Sequence, residues 1–282
     1  MKKALVVYNP ISGVKGWKDV PRIIVSELEK GEWDWDWFDT VKADQQPLEP
    51  FLGEKYDRVI VAGGDGTVAS VVDFMLQNEM KIPLVIIPQG SANLLAATLG
   101  IPLFQVRKAV RHGLKNKAKK IDVMKVNGKR IGLIAVGKGY DVFLMKETTR
   151  ALKRHWGLLA YVGVMIKTFF NFRRQAYKIT IDGKRHHVMS KAVIVFNAFP
   201  LAYWKASQVF LGKRIVPNDG MLNVFTMGKF WKITPYKGKK IVIKTKEIKD
   251  YQIDGDVFSC RTLSIEILPK AVSIVHTNNF NK

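Results

Sequence analysis

The stretch VIVAGGDGTVASVV, Val59 to Val72, decides the fold. Val59 to Ala62 is a short apolar run of the kind a buried strand makes. It stops at Gly63-Gly64, passes Asp65 and leaves through Gly66-Thr67. From Val68 onward apolar residues recur at helical spacing: Val68, Val71, Val72, Met75. A strand ends, a glycine turn follows and a helix begins. Such a turn aims backbone N–H groups and a helix N-terminus at whatever lies above it, a setting that favours anions. The glycines lack the Cβ that would block close approach. The spacing fits neither the P-loop nor the dinucleotide fingerprint, and no Lys follows. Asp65 would repel a bare phosphate, so it makes sense beside a metal or polarising an attacking hydroxyl. The plain alternative is a helix cap.

The flanking chain repeats the pattern. Lys3 to Tyr8 reads as a strand ending at Asn9-Pro10-Ile11-Ser12-Gly13. Trp17 to Lys30 reads as an amphipathic helix with Pro21 in its first turn. Trp33, Trp35 and Trp37 alternate with Asp34 and Asp36, the period of a half-buried strand, and favour core packing over a ligand platform. That strand ends at Thr40. Leu84 to Ile87 is a further buried strand, running into Pro88 to Asn93 and a helix that Gly100-Ile101-Pro102 ends. Alternating strands and helices predict an open, mostly parallel α/β sheet, a three-layer α/β/α Rossmann-like arrangement. All three polar turns, 9–13, 63–67 and 88–93, fall at strand C-terminal ends, where such sheets hold ligands.

Beyond residue 124 the texture changes. Strands are predicted at 121–126, 130–137, 177–181, 188–197, 222–227, 239–245, 248–253, 257–258 and 262–268, with turn signals such as Asn127-Gly128 and Asp182-Gly183. One helical insert is expected at about 141–172. The prediction is an α/β domain over residues 1–124, rejoined by 270–282, and an antiparallel β-sandwich over 125–269.

Charge is segregated along the 282 residues. The net charge is +22, but residues 1–102 carry −4 and residues 103–282 carry +26. A basic half implies an anionic surface as partner, a membrane or a nucleic acid. Basic runs lie at 107–120, 146–178 and 229–249, and the last interleaves Phe230, Trp231 and Tyr236 with Lys229, Lys232 and Lys237, as an interfacial anchor does. Lys/Arg with aromatics also suits single strands, but no nucleic-acid module is recognisable. A single cysteine, Cys260, permits no internal disulfide and fits a reducing cytosol. The longest apolar stretch, Gly157 to Ile166, is about half a membrane span. The five histidines show no zinc spacing, and Ser12 has no recognisable His/Asp partners for acyl transfer.

Seven motifs together resemble the diacylglycerol kinase catalytic family, the lipid kinases that include bacterial diacylglycerol kinases and sphingosine kinases. They are Asn9-Pro10-x-Ser12-Gly13, Gly63 to Thr67, Pro88-x-Gly90-Ser91-x-Asn93, Ile121-Asp122, Gly137-x-Gly139-Tyr140-Asp141, Asn218-Asp219-Gly220 and Asp254-Gly255-Asp256. The glycine turn alone is shared with NAD kinases; the ordered set spans nearly the whole chain. The resemblance implies ATP- and magnesium-dependent phosphorylation of a lipid hydroxyl. Diacylglycerol is the first expectation, with a sphingoid base or phosphatidylglycerol as alternatives. It implies a nucleotide site over Asn9, Pro10, Ser12, Gly13, Thr40, Gly63, Gly64, Asp65, Gly66, Thr67, Gly90, Ser91 and Asn93. It implies Asp256 as the general base, with Asp65 beside it, and a second magnesium on Asp219 and the main-chain oxygens of Val216 and Met221.

Two departures stand out. The residue matching the family's D-G-E glutamate is Asp256, and an acid common after the Asn of the third turn is replaced by Leu94, which removes any metal role there. Asp122 and Asp141 read equally as catalytic supports or strand-end caps. The expected location is cytoplasmic, on the inner face of the membrane, with a second copy of the chain as a further candidate partner. The rivals are a soluble kinase of NAD and a non-catalytic lipid-binding homologue.

Overall fold

The computed structural model describes residues 1–12, 19–40, 48, 51–140, 142–143, 172–199, 215–228 and 232–277. Gly13, Asp141, nearly all of the expected helical insert, and Lys229, Phe230 and Trp231 lie outside the described residues.

The first part runs β1 (Lys2–Tyr8), α1 (Val20–Lys30), β2 (Trp33–Asp39), β3 (Arg58–Gly63), α2 (Asp65–Gln77), β4 (Leu84–Pro88), α3 (Leu94–Leu99) and α4 (Val106–Lys115). The four strands pair in parallel in the order β4-β3-β1-β2. Chain direction therefore reverses across the sheet: β1 to β2 steps one way and β3 to β4 the other. Because such crossovers are right-handed, α1 and α2 fall on opposite faces, and a crevice opens between the ends of β1 and β3. That is where the turns after Tyr8 and Gly63 meet.

Local sequence explains the layers. β4 is buried throughout and β3 from Val59 onward, as central parallel strands covered on both faces are. In α1 the buried face is Val20, Ile24, Glu27 and Leu28. A buried carboxylate needs a partner, and Glu27 finds one on α4: Arg111 donates to it at 2.6 and 3.1 Å. In edge strand β2, Trp33 is buried while Trp35 and Trp37 pack partly against the core, so the tryptophans serve packing.

The second part runs β5 (Ala118–Val126), β6 (Arg130–Gly132), β7 (Ala135–Gly139), β8 (Gln175–Ile181), β9 (Lys184–Ser190), β10 (Ala192–Phe196), β11 (Leu222–Met227), β12 (Ile233–Gly238), β13 (Lys240–Ile253) and β14 (Asp256–Val275). Apart from the link to β4, these strands pair antiparallel. Alternate residues such as Ile179, Ile181, Val193, Val195, Ile241, Ile243, Leu263 and Ile265 form its core. Each such side chain, fully buried, contributes about 1.5–3 kcal/mol. The chain is thus an N-terminal α/β part and a β-rich C-terminal part. β14 joins them: its N-terminal half pairs β13, while Val272 to Val275 pair β5 and Ile274 pairs Leu84 of β4. The fourteen strands among the described residues all belong to one hydrogen-bonded sheet.

Several predicted strands differ in detail. The run 130–137 breaks into β6 and β7 because the amides of Leu133, Ile134 and Ala135 turn to the Asp254 carboxylate. The run 188–197 breaks at Ser190, whose hydroxyl donates to the carbonyl of Ala192 at 2.6 Å. The pair 239–245 and 248–253 is one strand, with a register shift between Lys244 and Lys249. β12, read as part of a basic anchor, is an edge strand, where Pro235 is tolerated. There Tyr236 packs on the second core and against the His186 ring at 4.9 Å, and Lys237 pairs with Asp219.

Candidate active site

Three turns converge over the crevice. The Asn9 side chain donates to Thr67 Oγ1 at 2.8 Å, and the Gly64 amide donates to Ser12 Oγ at 3.1 Å. These two bonds lock the turn after β1 to the turn after β3. Gly64 and Gly90 touch backbone to backbone: a Cβ on Gly90 would sit 2.7 Å from the Gly64 Cα and 2.9 Å from Asn93 Oδ1. Asn93, buried and at φ +47°, closes the third turn by accepting from the Gly90 amide at 2.7 Å and donating to the Gly90 carbonyl at 2.6 Å. Because backbone cannot yield as a flexible side chain does, Gly90→Ala should cost about 1–3 kcal/mol. A thermal melt lowered by several degrees checks this; an unchanged melt contradicts the close approach.

Asp65 stands at the start of α2 but serves α3. Its two carboxylate oxygens accept the Leu94 amide at 2.9 Å and the Leu95 amide at 3.1 Å. It therefore caps the N-terminus of a helix about 30 residues on, where negative charge is favoured. Burial raises its pKa from the ordinary value, and the amides of Leu94, Leu95 and Asn93 work against that rise.

Asp256 arrives from far along the chain, on the tight β13–β14 hairpin, where Asp254 at φ +48° and Gly255 at φ +106° form the turn. Asp254 pins that hairpin. Its carboxylate accepts from Leu133 at 2.6 Å, Ile134 at 2.9 Å and Ala135 at 2.8 Å, and its amide donates to the Ala135 carbonyl at 3.0 Å. Desolvation nonetheless pushes its pKa up to about 6, with the charge of Asp65 adding to the rise. A carboxyl whose folded pKa is raised favours folding when protonated. Its contribution is complete below the ordinary carboxyl range and is lost as pH rises through about 6. Urea unfolding between about pH 4 and 7 should show stability falling by on the order of 2 kcal/mol from this group. Asp254→Asn should flatten that fall; an unchanged slope would show the carboxyl to be solvated.

Two cavities flank Asp256. The larger, about 610 Å³, has an apolar lining of Val7, Phe38, Leu48, Val71 and Phe74 and a polar lining that includes Asn9, Thr40, Gly66, Thr67 and Asp256. The smaller, about 130 Å³, is lined by Gly66, Ala69, Ser70, Asp73, Arg130, Ile131, Ile253, Asp254, Asp256 and Phe258. The structure thus gathers Asn9, Thr40, Gly66, Thr67 and Asp256 into one cavity, with Ser12, Gly63, Gly64, Asp65, Gly90 and Asn93 forming the turns beneath. Pro10 and Ser91 are exposed and line neither cavity.

The residues Val216, Asp219 and Met221 lie apart from both cavities. Asp219 accepts the Lys237 ammonium at 2.8 Å through one oxygen and the Met221 amide at 3.0 Å through the other. A cation held at this turn by Asp219 and the main-chain oxygens of Val216 and Met221 would share the Asp219 carboxylate with Lys237. Among the described residues no group of three His, Cys, Asp or Glu side chains converges as metal ligands. Asp122 is a fastening: fully buried, it accepts the Gly220 amide at 2.7 Å and the Lys270 amide at 2.8 Å, tying the 217–220 turn to β14.

An apolar and polar cleft over glycine turns, at the point where strand order reverses, is where open α/β sheets hold their ligands. Comparison with known proteins narrows the class. Residues 3–126 match the model of the diacylglycerol kinase catalytic domain. A protein of Staphylococcus haemolyticus (strain JCSC1435), named "Putative lipid kinase", is 31% identical over 241 residues, 78% of this chain and 76% of that one. A crystal structure of a "putative diacylglycerol kinase" from Bacillus anthracis str. Sterne superposes with a TM-score of 0.78 at 25% identity, covering 98% of this chain and 95% of that one. Another from the same organism, at 22% identity and TM-score 0.72, shares the fold. The chain belongs to the diacylglycerol kinase catalytic family of lipid kinases.

Proposed function

We propose that the chain transfers the γ-phosphoryl group of ATP to a lipid hydroxyl, with diacylglycerol as acceptor and phosphatidic acid as product. The observation that carries this reading is the place of Asp256, which lines both the larger cavity over the glycine turns and the smaller one beside it. The larger cavity offers the nucleotide an apolar lining for its base and backbone amides, Asn9, Thr40 and Thr67 for its phosphates. The acceptor hydroxyl enters from the smaller cavity. Its oxygen attacks the γ-phosphorus as its proton passes to the Asp256 carboxylate; the bond to the β–γ bridging oxygen breaks and ADP leaves. Asp65 holds the third turn in place through Leu94 and Leu95, so the amides stay preorganised for the transferring group. Magnesium bound to the phosphates would supply charge neutralisation.

A lipid acceptor requires the enzyme to meet a bilayer. Among the described residues no helix is long and apolar enough to cross a membrane, so the proposed mode is peripheral and electrostatic. The basic second half supports it, as does Ile248, 70% exposed between Lys246 and Lys249. Cosedimentation with vesicles containing anionic lipid should be strong at low salt and lost at high salt. Incubation with γ-labelled ATP and either diacylglycerol or NAD tests the acceptor. Label in the organic phase supports the proposal; label only in phosphorylated NAD overturns it.

A further inference from the structure

Among the described residues the cleft is poor in positive charge. Nucleotide phosphates carry several negative charges, and phosphoryl transfer depends on cations that neutralise charge on the group in flight. The glycine turn carries no lysine. Among the described residues lining the two cavities, one side chain is cationic, Arg130 of β6. It shares the smaller cavity with Gly66 of the turn and with Asp256.

Its placement is built. The guanidinium carbon lies 3.9 Å above the centre of the Phe258 ring. Phe258 in turn packs against Tyr251, with ring centres 5.6 Å apart. Burial raises the Tyr251 hydroxyl above its ordinary pKa and Arg130 beside it counters that rise, so the guanidinium also meets the Tyr251 oxygen. Stacking orients the plane of the guanidinium and leaves N–H donors free at its edges. No carboxylate pairs with Arg130 within 4.0 Å among the described residues. An arginine with an aromatic support and, among the described residues, no ion-pair partner, lining a cavity it shares with Asp256, has edge donors to offer an anion.

The neighbours of the cavity say which anion. Gly66 of the glycine turn and the Asp256 carboxylate share this space of about 130 Å³ with the guanidinium, so a phosphoryl group held over that turn lies beside Arg130. We propose that Arg130 contacts the γ-phosphoryl oxygens and neutralises the charge that spreads over them during transfer, supplying the cation missing from the glycine turn. The inference rests on the phosphoryl-transfer reading above and adds a residue to it from β6.

The test compares wild type with Arg130→Ala, Arg130→Lys and Phe258→Leu. Thermal melts first establish that each variant is folded; Arg130 is exposed, so its replacement should leave the melt unchanged. In transfer assays Arg130→Ala should lower kcat by about 10²–10³-fold, the scale of a lost charge-stabilising donor, with the KM for the lipid unchanged. Arg130→Lys should recover part of the rate. Guanidinium chloride at millimolar concentration should partly restore Arg130→Ala and leave wild type unaffected. Phe258→Leu, which keeps the charge and removes its support, should fall between. A binding arm stands apart from the acceptor: wild type should hold a non-hydrolysable ATP analogue more tightly than ADP, and Arg130→Ala should lose that difference. If Arg130→Ala keeps both the rate and the preference for the triphosphate, the inference is wrong. An intact kcat with a raised lipid KM overturns it in favour of an acceptor contact. If wild type phosphorylates no lipid yet Arg130→Ala still loses the triphosphate preference, the lipid reading fails and Arg130 stands.

Discussion

Asp256→Ala is expected to lower kcat by about 10²–10⁴-fold, the contribution of a positioned general base, and to leave ATP affinity within a factor of three. The separation follows from where Asp256 sits. It is exposed at the start of β14 and makes none of the bonds that hold the three turns together. Removing it therefore takes away a proton acceptor and little else. The hairpin that presents it is fixed by Asp254, whose carboxylate and amide make four hydrogen bonds to residues 133–135. Asp256→Asn should behave as Ala does, because the amide cannot take the proton. Asp256→Glu adds one methylene and restores the length of the family's usual residue; a displacement of about 1.5 Å at a base matters by up to 10²-fold. If Asp256→Ala keeps most of the rate, another group removes the proton and the mechanism above is wrong.

Asp65→Ala is expected to abolish transfer and to lower stability by about 2–4 kcal/mol. Here structure and chemistry are inseparable. The carboxylate is the shared acceptor for the Leu94 and Leu95 amides. Losing it leaves two donors at the start of α3 without their partner, each costing about 1–3 kcal/mol where buried. It also frees the third turn to move away from the second, and the contact between Gly64 and Gly90 is what holds those two turns together. Asp65→Asn separates the two effects in part. One oxygen still accepts an amide, so most of the stability should return. The rate should not, because the charge is gone and an NH₂ now faces a backbone N–H. A variant that melts as wild type does yet transfers at a normal rate would show Asp65 to be dispensable.

Much of this site was legible along the chain because the informative features are local. A strand, a glycine turn and a helix within 14 residues announce an anion site, and the same punctuation recurs after Tyr8 and Pro88. Asp65 shows where local reading stops. As a helix cap it belongs to α2 by sequence, yet it caps α3, and only the packing of Gly64 on Gly90 makes that reach natural. Asp254 shows the same limit at longer range. Its three donors lie about 120 residues away, so nothing near it in sequence marks it as the pin of the hairpin. Arg130 was hidden for another reason: it sits in a lysine- and arginine-rich chain where one more cation carries no signal until Phe258 is found beneath it. β12 was lost to its composition, since Pro235 and three lysines between Lys232 and Lys239 read as surface, whereas an edge strand accepts both.

The claim on which the rest depends is that the crevice between β1 and β3 holds the nucleotide. Amide hydrogen exchange with and without magnesium-ATP reads it directly. Slowed exchange confined to residues 9–12, 63–67 and 89–95, and absent when AMP replaces ATP, is the predicted result. No change in those turns at saturating ATP, or protection confined to the β-rich part, would contradict it.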